Sequence, residues 1–388
     1  AEGCEDAIDG IYAEIGGERN GLYGQMLAYK YPELMTGNFT INQSDNMAYV
    51  VQRQWTHDNA IAVAEEIWTT GYKVIGHVNK ALSHILPKDD SEFRHTRLYK
   101  GELLALRAFL HFEMARIFAV SFASGDAAAK AKAIPYVKSY GIQVTPYSSL
   151  DKVFEFIIAD LTEAEKYLEE DATLLPVVRD NAMGDFTSNR ITHFSLYSTT
   201  FTYYYYFDLI RSSTSMGSMK LAEQYTSIFE ADQEGNADRR YVAWFDRNNN
   251  WCTKHYNVMY ASSNDSGSTA TYNGNSIPGV SLIRIPEMYY IVAEANLTKD
   301  PDKATEYLDY VVTSRDQTAF ADREAGKITE ENIFNDRRKE FFADGDDFYN
   351  MKRLARDLTI SGMGTFAGND DATYTMPIPA SVEDNYRQ

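Results

Sequence analysis

The side chains that could do chemistry fall into three groups. Seven histidines (His57, His77, His84, His95, His111, His193 and His255) are scattered along the chain, and none forms an HExxH or a tight Cys/His cluster. His77 and His84 would share a helix face, but two turns apart, whereas a shared metal needs ligands one turn apart. There is no phosphate loop, no dinucleotide fingerprint and no GxSxG elbow. With 56 acidic residues, some carboxylate pair will always lie at glycosidase separation, so such pairs carry no argument. Neither a catalytic group, nor a metal, nor a cofactor is therefore expected.

The second group lies in two stretches where aromatics mix with amides and charged groups. A sugar offers an apolar ring face and a rim of hydroxyls. A matching site needs a flat aromatic wall with polar groups converging beside it. One such stretch is Asp45 to Asn59, with Arg53 and Trp55. The other runs from Trp244 to Tyr272 and contains Trp251, Tyr256 and Tyr260. These nine residues are the candidate ligand contacts; the alternative is that their rings merely pin loops onto the body of the protein.

The third group is ionic. In Leu282 to Leu297, LIRIPEMYYIVAEANL, Pro286 suits the first turn of a helix because its φ is fixed and it lacks an amide donor. Glu287 and Glu294 lie seven apart on one narrow stripe, and apolar residues cover nearly everything else. Such a helix is expected to be packed on several sides. Its carboxylates then need partners, and Arg338 in NIFNDRRKEFFADGDDFYNMKRL is the expected one. This is read as a structural ion pair rather than a catalytic one.

The elements that must hold these groups are mostly helical. Glu5 to Ile15 is a short helix, and Asn20 to Asn59 breaks into an ordered loop region containing Pro32 and Gly37. Asn59 to Ile85 is a long helix in which Trp68, Tyr72, Ile75, Val78, Asn79 and Leu82 recur at helical spacing. Glu92 to Ser121 is its partner, with Arg107 and His111 on one face and Glu102, Glu113 and Arg116 on roughly the other. Leu150 to Leu168 is amphipathic, and Asp300 to Asp316 is a further helix. Glu230 to Gly279 and Gly362 to Tyr374 read as loops.

Several of these segments resemble the SusD/RagB family of surface nutrient-binding lipoproteins of Bacteroidetes. Leu282 to Leu297 is similar to its R-x-x-E-x-Y-L-I-x-A-E-A helix. Asn332 to Leu354 resembles its R-R-x-E-L-x-x-E-G-x-R-x-x-D-L-x-R segment, with Asp344 in place of the Glu before the glycine and Asp347 in place of the following Arg. YTMPIPASVEDNYRQ, from Tyr374 to Gln388, resembles the closing PIP tail, and Trp68, Tyr72, Ile75 and Asn79 match W-x-x-x-Y-x-x-I-x-x-x-N. The helix at 92–121 and the N-terminal one also resemble family signatures.

The resemblance implies one domain over 1–388. Its fold would be mostly α, a right-handed superhelix of tetratricopeptide-like helix pairs at about 59–230 and 282–357, with loop-rich insertions at about 20–58, 230–280 and 360–388. It also implies a helix over Arg190 to Ile210, although RITHFSLYSTTFTYYYYFDLI is rich in β-branched and aromatic residues and its propensity suggests strands. A helical partner is expected at Met219 to Phe229. The implied function is capture of an oligosaccharide at the outer-membrane surface and delivery to a SusC-like TonB-dependent transporter. A peptide-binding member, a helical glycoside hydrolase and a protein-binding scaffold are the alternatives.

Composition agrees. A net charge of -19 argues against nucleic acid or an anionic membrane surface as partner. Ala1-Glu2-Gly3 before Cys4 is a poor lipobox, so the lipid anchor is expected upstream of this chain. Whether Cys4 and Cys252 pair is open.

Overall fold

The computed structural model describes residues 2–16, 22–93, 95–168, 192–197, 219–222, 225–229, 238–246, 251–252, 254, 259–260, 271–272, 279–323 and 328–385. The chain packs as two compact units, each built from non-contiguous stretches. The first takes residues 1–26, 43–176 and 348–388, and the second takes 27–42 and 177–347.

The first unit is helical. The long helix Asp58–Ile85 buries Ile67, Trp68, Val74, Ile75, Val78 and Leu82, which matches the spacing expected of it. Against it lies the helix Thr96–Phe118, and on that lies Leu150–Leu168. The helices Asp58–Ile85 and Thr96–Phe118 come together at Gly71, where a Cβ would stand 2.3 Å from the Met114 sulfur. Thr96–Phe118 is buried along two flanks, and polar groups inside it must be satisfied. Arg107 does this with a forked pair of hydrogen bonds, Nε to Asp160 Oδ2 at 2.7 Å and Nη2 to Oδ1 at 2.8 Å. Its remaining nitrogen reaches Asn79 Oδ1 and the Lys138 carbonyl, both at 3.2 Å. One arginine thus ties three helices to the loop at 138.

The second unit has its own core, in which Tyr290, Ala293, Ala304, Leu308, Val311, Val312, Ile328, Ile333 and Phe341 pack together. The helix Ile285–Asn296 does carry Pro286 in its first turn. It is not packed on several sides, however. Tyr290 and Ala293 face the core, while Met288 and Ile291 are exposed. Its apolar circumference reflects composition rather than burial. Pro301–Thr313 packs beside it, and Glu330–Glu340 opens with a Thr329–Asn332 capping box.

Three expectations are corrected. The stretch beginning at Arg190 contains a strand, Thr192–Tyr197, paired antiparallel with Gly279–Arg284. The β-branched residues there follow their propensity, and the tyrosines after 197 lie outside the described residues. Among the described residues of Met219 to Phe229 are the strand Lys220–Leu221 and one helical turn, Tyr225–Ile228, in place of the expected helix. Residues 22–51, read as loop, are largely helical: a π-helix at Leu22–Lys30 runs into Tyr31–Met35, and Met47–Val51 follows. Both cysteines are free. Among the described residues, no helix is long and apolar enough to cross a membrane, and no group of three metal-ligating side chains converges.

Candidate functional site

The segment from Gln43 to Asn59, in the first unit, is a short helix and a tight turn leading into the long helix. Asp45 Oδ1 accepts the Met47 N–H at 2.9 Å, which starts the helix Met47–Val51. Arg53 then turns the chain with φ +56°, a left-handed conformation uncommon for a residue bearing a Cβ. Its guanidinium compensates. Nε and Nη2 donate to the Thr373 carbonyl at 3.2 and 3.0 Å, and Nη1 donates to the Val51 carbonyl at 2.7 Å. The same group lies 4.1 Å from the centre of the Phe366 ring. Arg53 is therefore a clamp on the turn.

His57 closes the turn. Its Nδ1 accepts the Asn59 N–H at 3.2 Å, capping Asp58–Ile85, while its ring stacks on Tyr49 at 3.6 Å and 15°. Trp55 stands between clamp and cap. It is partly exposed, yet its indole Nε1 is buried with no hydrogen-bond partner in the protein. Buried indole N–H groups nearly always find a partner. Asn59, partly exposed in the first turn of the long helix, completes the predicted set.

The residues that precede Trp55 in the chain carry a feature that sequence reasoning missed. Gln54 Nε2 donates to Gln52 Oε1, and Gln52 Nε2 donates to Gln43 Oε1, each at 2.9 Å. Three side-chain amides thus form a ladder at the surface. Only the short Gln52–Gln54 spacing hinted at it, since Gln43 joins from across the Met47–Val51 helix.

The other candidates lie in the second unit. Trp244 is corrected: it is 2% exposed, and the Lys254 ammonium sits 4.2 Å from its ring centre, so the ring is part of the core. Trp251, Tyr260 and Tyr272 fall in short strands, Trp251–Cys252, Met259–Tyr260 and Thr271–Tyr272. Tyr256 lies outside the described residues.

The ionic prediction is corrected by one residue. Arg337, not Arg338, donates to Glu287, at 2.8 Å, and to Asp346 at the same distance. Arg338 meets Asp347 at 3.0 Å. One residue is a 100° step around a helix, which exchanges the two arginines between neighbouring faces.

A larger buried network was not anticipated. Glu340, fully buried, receives Arg284 at 2.6 Å, Arg315 at 2.8 Å and Arg240 at 3.3 Å. Those arginines hold its carboxyl far below the usual range despite burial. Arg240 also meets Asp238 and Asp336, and Asp344 receives both Lys254 and Arg284 at 2.7 Å. Lys254 donates further to the Glu340 and Phe342 carbonyls, and burial lowers its pKa to about 8. Four cations face four carboxylates and pair with one another and with the backbone carbonyls of Glu340 and Phe342, which is the arrangement of a structural centre. The arginine that begins the family's helix pattern, Arg284, was the available signal.

Comparison with known proteins bears on both units. A family model described as starch-binding, associating with the outer membrane (SusD-like_3), matches residues 4–183, and the SusD family model (SusD_RagB) matches 197–385. No curated protein matches by sequence. Among solved structures, a SusD-like carbohydrate binding protein from Bacteroides vulgatus superposes with a TM-score of 0.72 at 15% identity, covering 100% of this chain and 96% of its own. A SusD superfamily protein from Bacteroides thetaiotaomicron gives 0.71 at 16% identity, over 99% and 97%. A laminarin binding SusD-like protein gives 0.64 at 14% identity, over 98% and 96%. At such identities the likeness speaks for the fold, which is mostly helical and SusD-like, as the sequence patterns implied. With its two halves matched in order by the family's own models, the chain belongs to the SusD/RagB family.

Proposed function

We propose that the protein captures oligosaccharides at the cell surface and passes them to a SusC-like TonB-dependent transporter in the outer membrane, held there by a lipid anchor. Members of the family are non-catalytic binding proteins, and the family model that matches the first half is described as starch-binding and outer-membrane associated. The single observation carrying the reading is Trp55. It presents part of a flat apolar ring on a turn that is clamped by Arg53 and capped by His57, with amides alongside. A preorganised aromatic face flanked by hydrogen-bonding groups is what a sugar requires.

Tryptophan fluorescence tests this. Trp68 and Trp244 are buried and Trp55 is partly exposed, so a ligand-dependent change that is lost in Trp55→Ala reports on that ring. A saturable change with a soluble neutral glycan, lost in Trp55→Ala, with no product formed on prolonged incubation, is expected. A response to short peptides and to no glycan would move the ligand to the peptide class. Co-purification with a TonB-dependent transporter, or its failure, tests delivery separately.

A further inference from the structure

In the first unit the strands Lys132–Pro135 and Tyr147–Ser149 pair antiparallel, and the residues between them form a loop. Its base is fixed in the helical core. The Pro135 carbonyl accepts the Tyr72 hydroxyl at 2.9 Å, the Val137 carbonyl accepts Asn79 Nδ2 at 2.8 Å, and the Lys138 carbonyl accepts Arg107. Beyond that point the packing stops. Residues 138–144 are all exposed and the tip is apolar: Tyr140 is 56% exposed, Val144 70%, and Ile142 fully. Gly141, between Tyr140 and Ile142, would meet nothing within 4 Å if it bore a Cβ. The hydrogen bonds of Gln143 stay within the tip, from its N–H to the Gly141 carbonyl and from Nε2 to Ser139 Oγ.

We infer that the loop at 138–146 is a finger that dips into the interface of a zwitterionic phospholipid bilayer and steadies the first unit against the membrane. The inference rests on the outer-membrane location proposed above and goes on to name the surface that touches lipid.

Composition favours lipid. The chain has 56 acidic residues, yet none lies between Lys132 and Leu150. No carboxylate therefore has to enter with the tip, and carrying a charge into hydrocarbon is costly. The cations of the finger suit the boundary layer. Lys138 Nζ lies 4.0 Å from the Phe156 ring centre, and Lys80 Nζ lies 5.6 Å from that of Tyr140. Such long stems follow apolar surface while the ammonium stays in water, and tyrosine is enriched at the same depth. At the base, by contrast, Lys130 and Lys132 are paired with Asp151 and Glu383. Size speaks against a protein partner, since a specific interface takes about 20–30 residues a side and this loop is far shorter. A shallow apolar insertion is weak alone but is useful beside a lipid anchor, because stable attachment takes two signals. The net charge of -19 opposes an anionic surface, which leaves the zwitterionic one.

The test is flotation of the full chain with phosphatidylcholine vesicles, paired with fluorescence of Tyr140→Trp in vesicles whose acyl chains carry bromine. Wild type is expected to float with half-saturation at about millimolar lipid, weaker than a single acyl chain provides. Ile142→Ser and Val144→Ser should each weaken partition about tenfold. Their melting temperatures should match wild type, since both residues are exposed. Ile158→Ser, at a position 61% exposed on the helix Leu150–Leu168, should partition like wild type. The Tyr140→Trp emission, after subtraction of the wild-type spectrum, should shift to the blue and be quenched by bromine. Failure of wild type to float, an equal loss in Ile158→Ser, or flotation without quenching overturns the finger. So does a concentration-dependent dimer that Ile142→Ser abolishes, which would give the tip to a second copy. Fractionation of the native cells reads the outer-membrane location and shares none of these readouts, so the two readings fail separately.

Discussion

Tyr136 lies flat on His111, with ring centres 3.9 Å apart and planes 21° from parallel, and its hydroxyl donates to Asp160 at 2.6 Å. That carboxylate is the one gripped by Arg107. The His111 ring therefore sits in a closed box. Nδ1 bonds the Arg107 carbonyl at 2.8 Å, and Nε2 accepts the Val137 N–H at 3.0 Å. This places the proton on Nδ1, and a second proton on Nε2 would displace Val137. Burial pushes the His111 pKa down to about 4.

The sign of the resulting pH effect follows. Between pH 6.5 and about 4 the unfolded chain binds a proton at this position and the folded chain does not, so stability falls as pH falls through that window. The contribution is about 3 kcal/mol at full extent. His111→Gln removes the protonation, and its denaturant-derived stability should depend less steeply on pH than wild type between 4 and 6.5.

Glu33 acts in the opposite sense. It is fully buried near Asp347, and although Gly345 N–H and Asn38 Nδ2 bond it at 2.9 and 3.3 Å, burial and the neighbouring carboxylate raise its pKa to about 8. Protons are then favoured on the folded state from pH 4.5 to about 8, so this group's stabilisation is lost as pH rises through 8. Glu33→Gln keeps an acceptor for Gly345 and cannot ionise. It should be more stable than wild type at pH 9, with the advantage vanishing near pH 5, as read by thermal melts across that range.

Removing Arg107 should be far more damaging than its single charge suggests. Arg107→Met leaves Asp160 buried without its forked partner and strands Asn79 and the Lys138 carbonyl, a loss of about 3–5 kcal/mol. Arg107→Met combined with Asp160→Leu should recover much of it. If the double variant is no more stable than the single one in urea, the charge is not the cause.

Gly345 should tolerate no side chain. Its φ is +81°, and an added Cβ would stand 2.6 Å from the Ala28 carbonyl oxygen, a backbone atom that cannot swing aside. Gly345→Ala is expected to cost at least about 2 kcal/mol, whereas Gly10→Ala, where nothing lies within 4 Å, should leave the melting temperature unchanged or raise it.

How legible all this was depended on where the determining forces lay. Leu150–Leu168 was readable because its own amphipathic period fixes it. The helices at 22–35 were not, because their residues are buried by distant chain: Tyr29, Tyr31 and Glu33 are each fully buried, and Pro32 and Gly37 looked like breakers when taken alone. At 192–197 the local propensity for strand held where the family pattern suggested helix, since Gly279–Arg284 supplies a partner edge. In the candidate site, Trp55 stood out by type. The glutamine ladder did not, because nothing in a sequence tells Gln43 and Gln52 that a short helix between them will fold them side by side. Asp45 and Arg53 drew attention by charge and prove to be spent on backbone groups.

The Arg53 clamp has a consequence for assembly. Its anchor, the Thr373 carbonyl, lies 320 residues further along the chain, and Phe366 belongs to the same late segment. The turn that presents Trp55 is thus held in a left-handed shape by parts of the polypeptide made more than 300 residues after it. An emerging chain can complete the helix behind that turn long before it can set the turn itself. A form clipped before Phe366 would carry the same tryptophan on a turn that lacks its clamp.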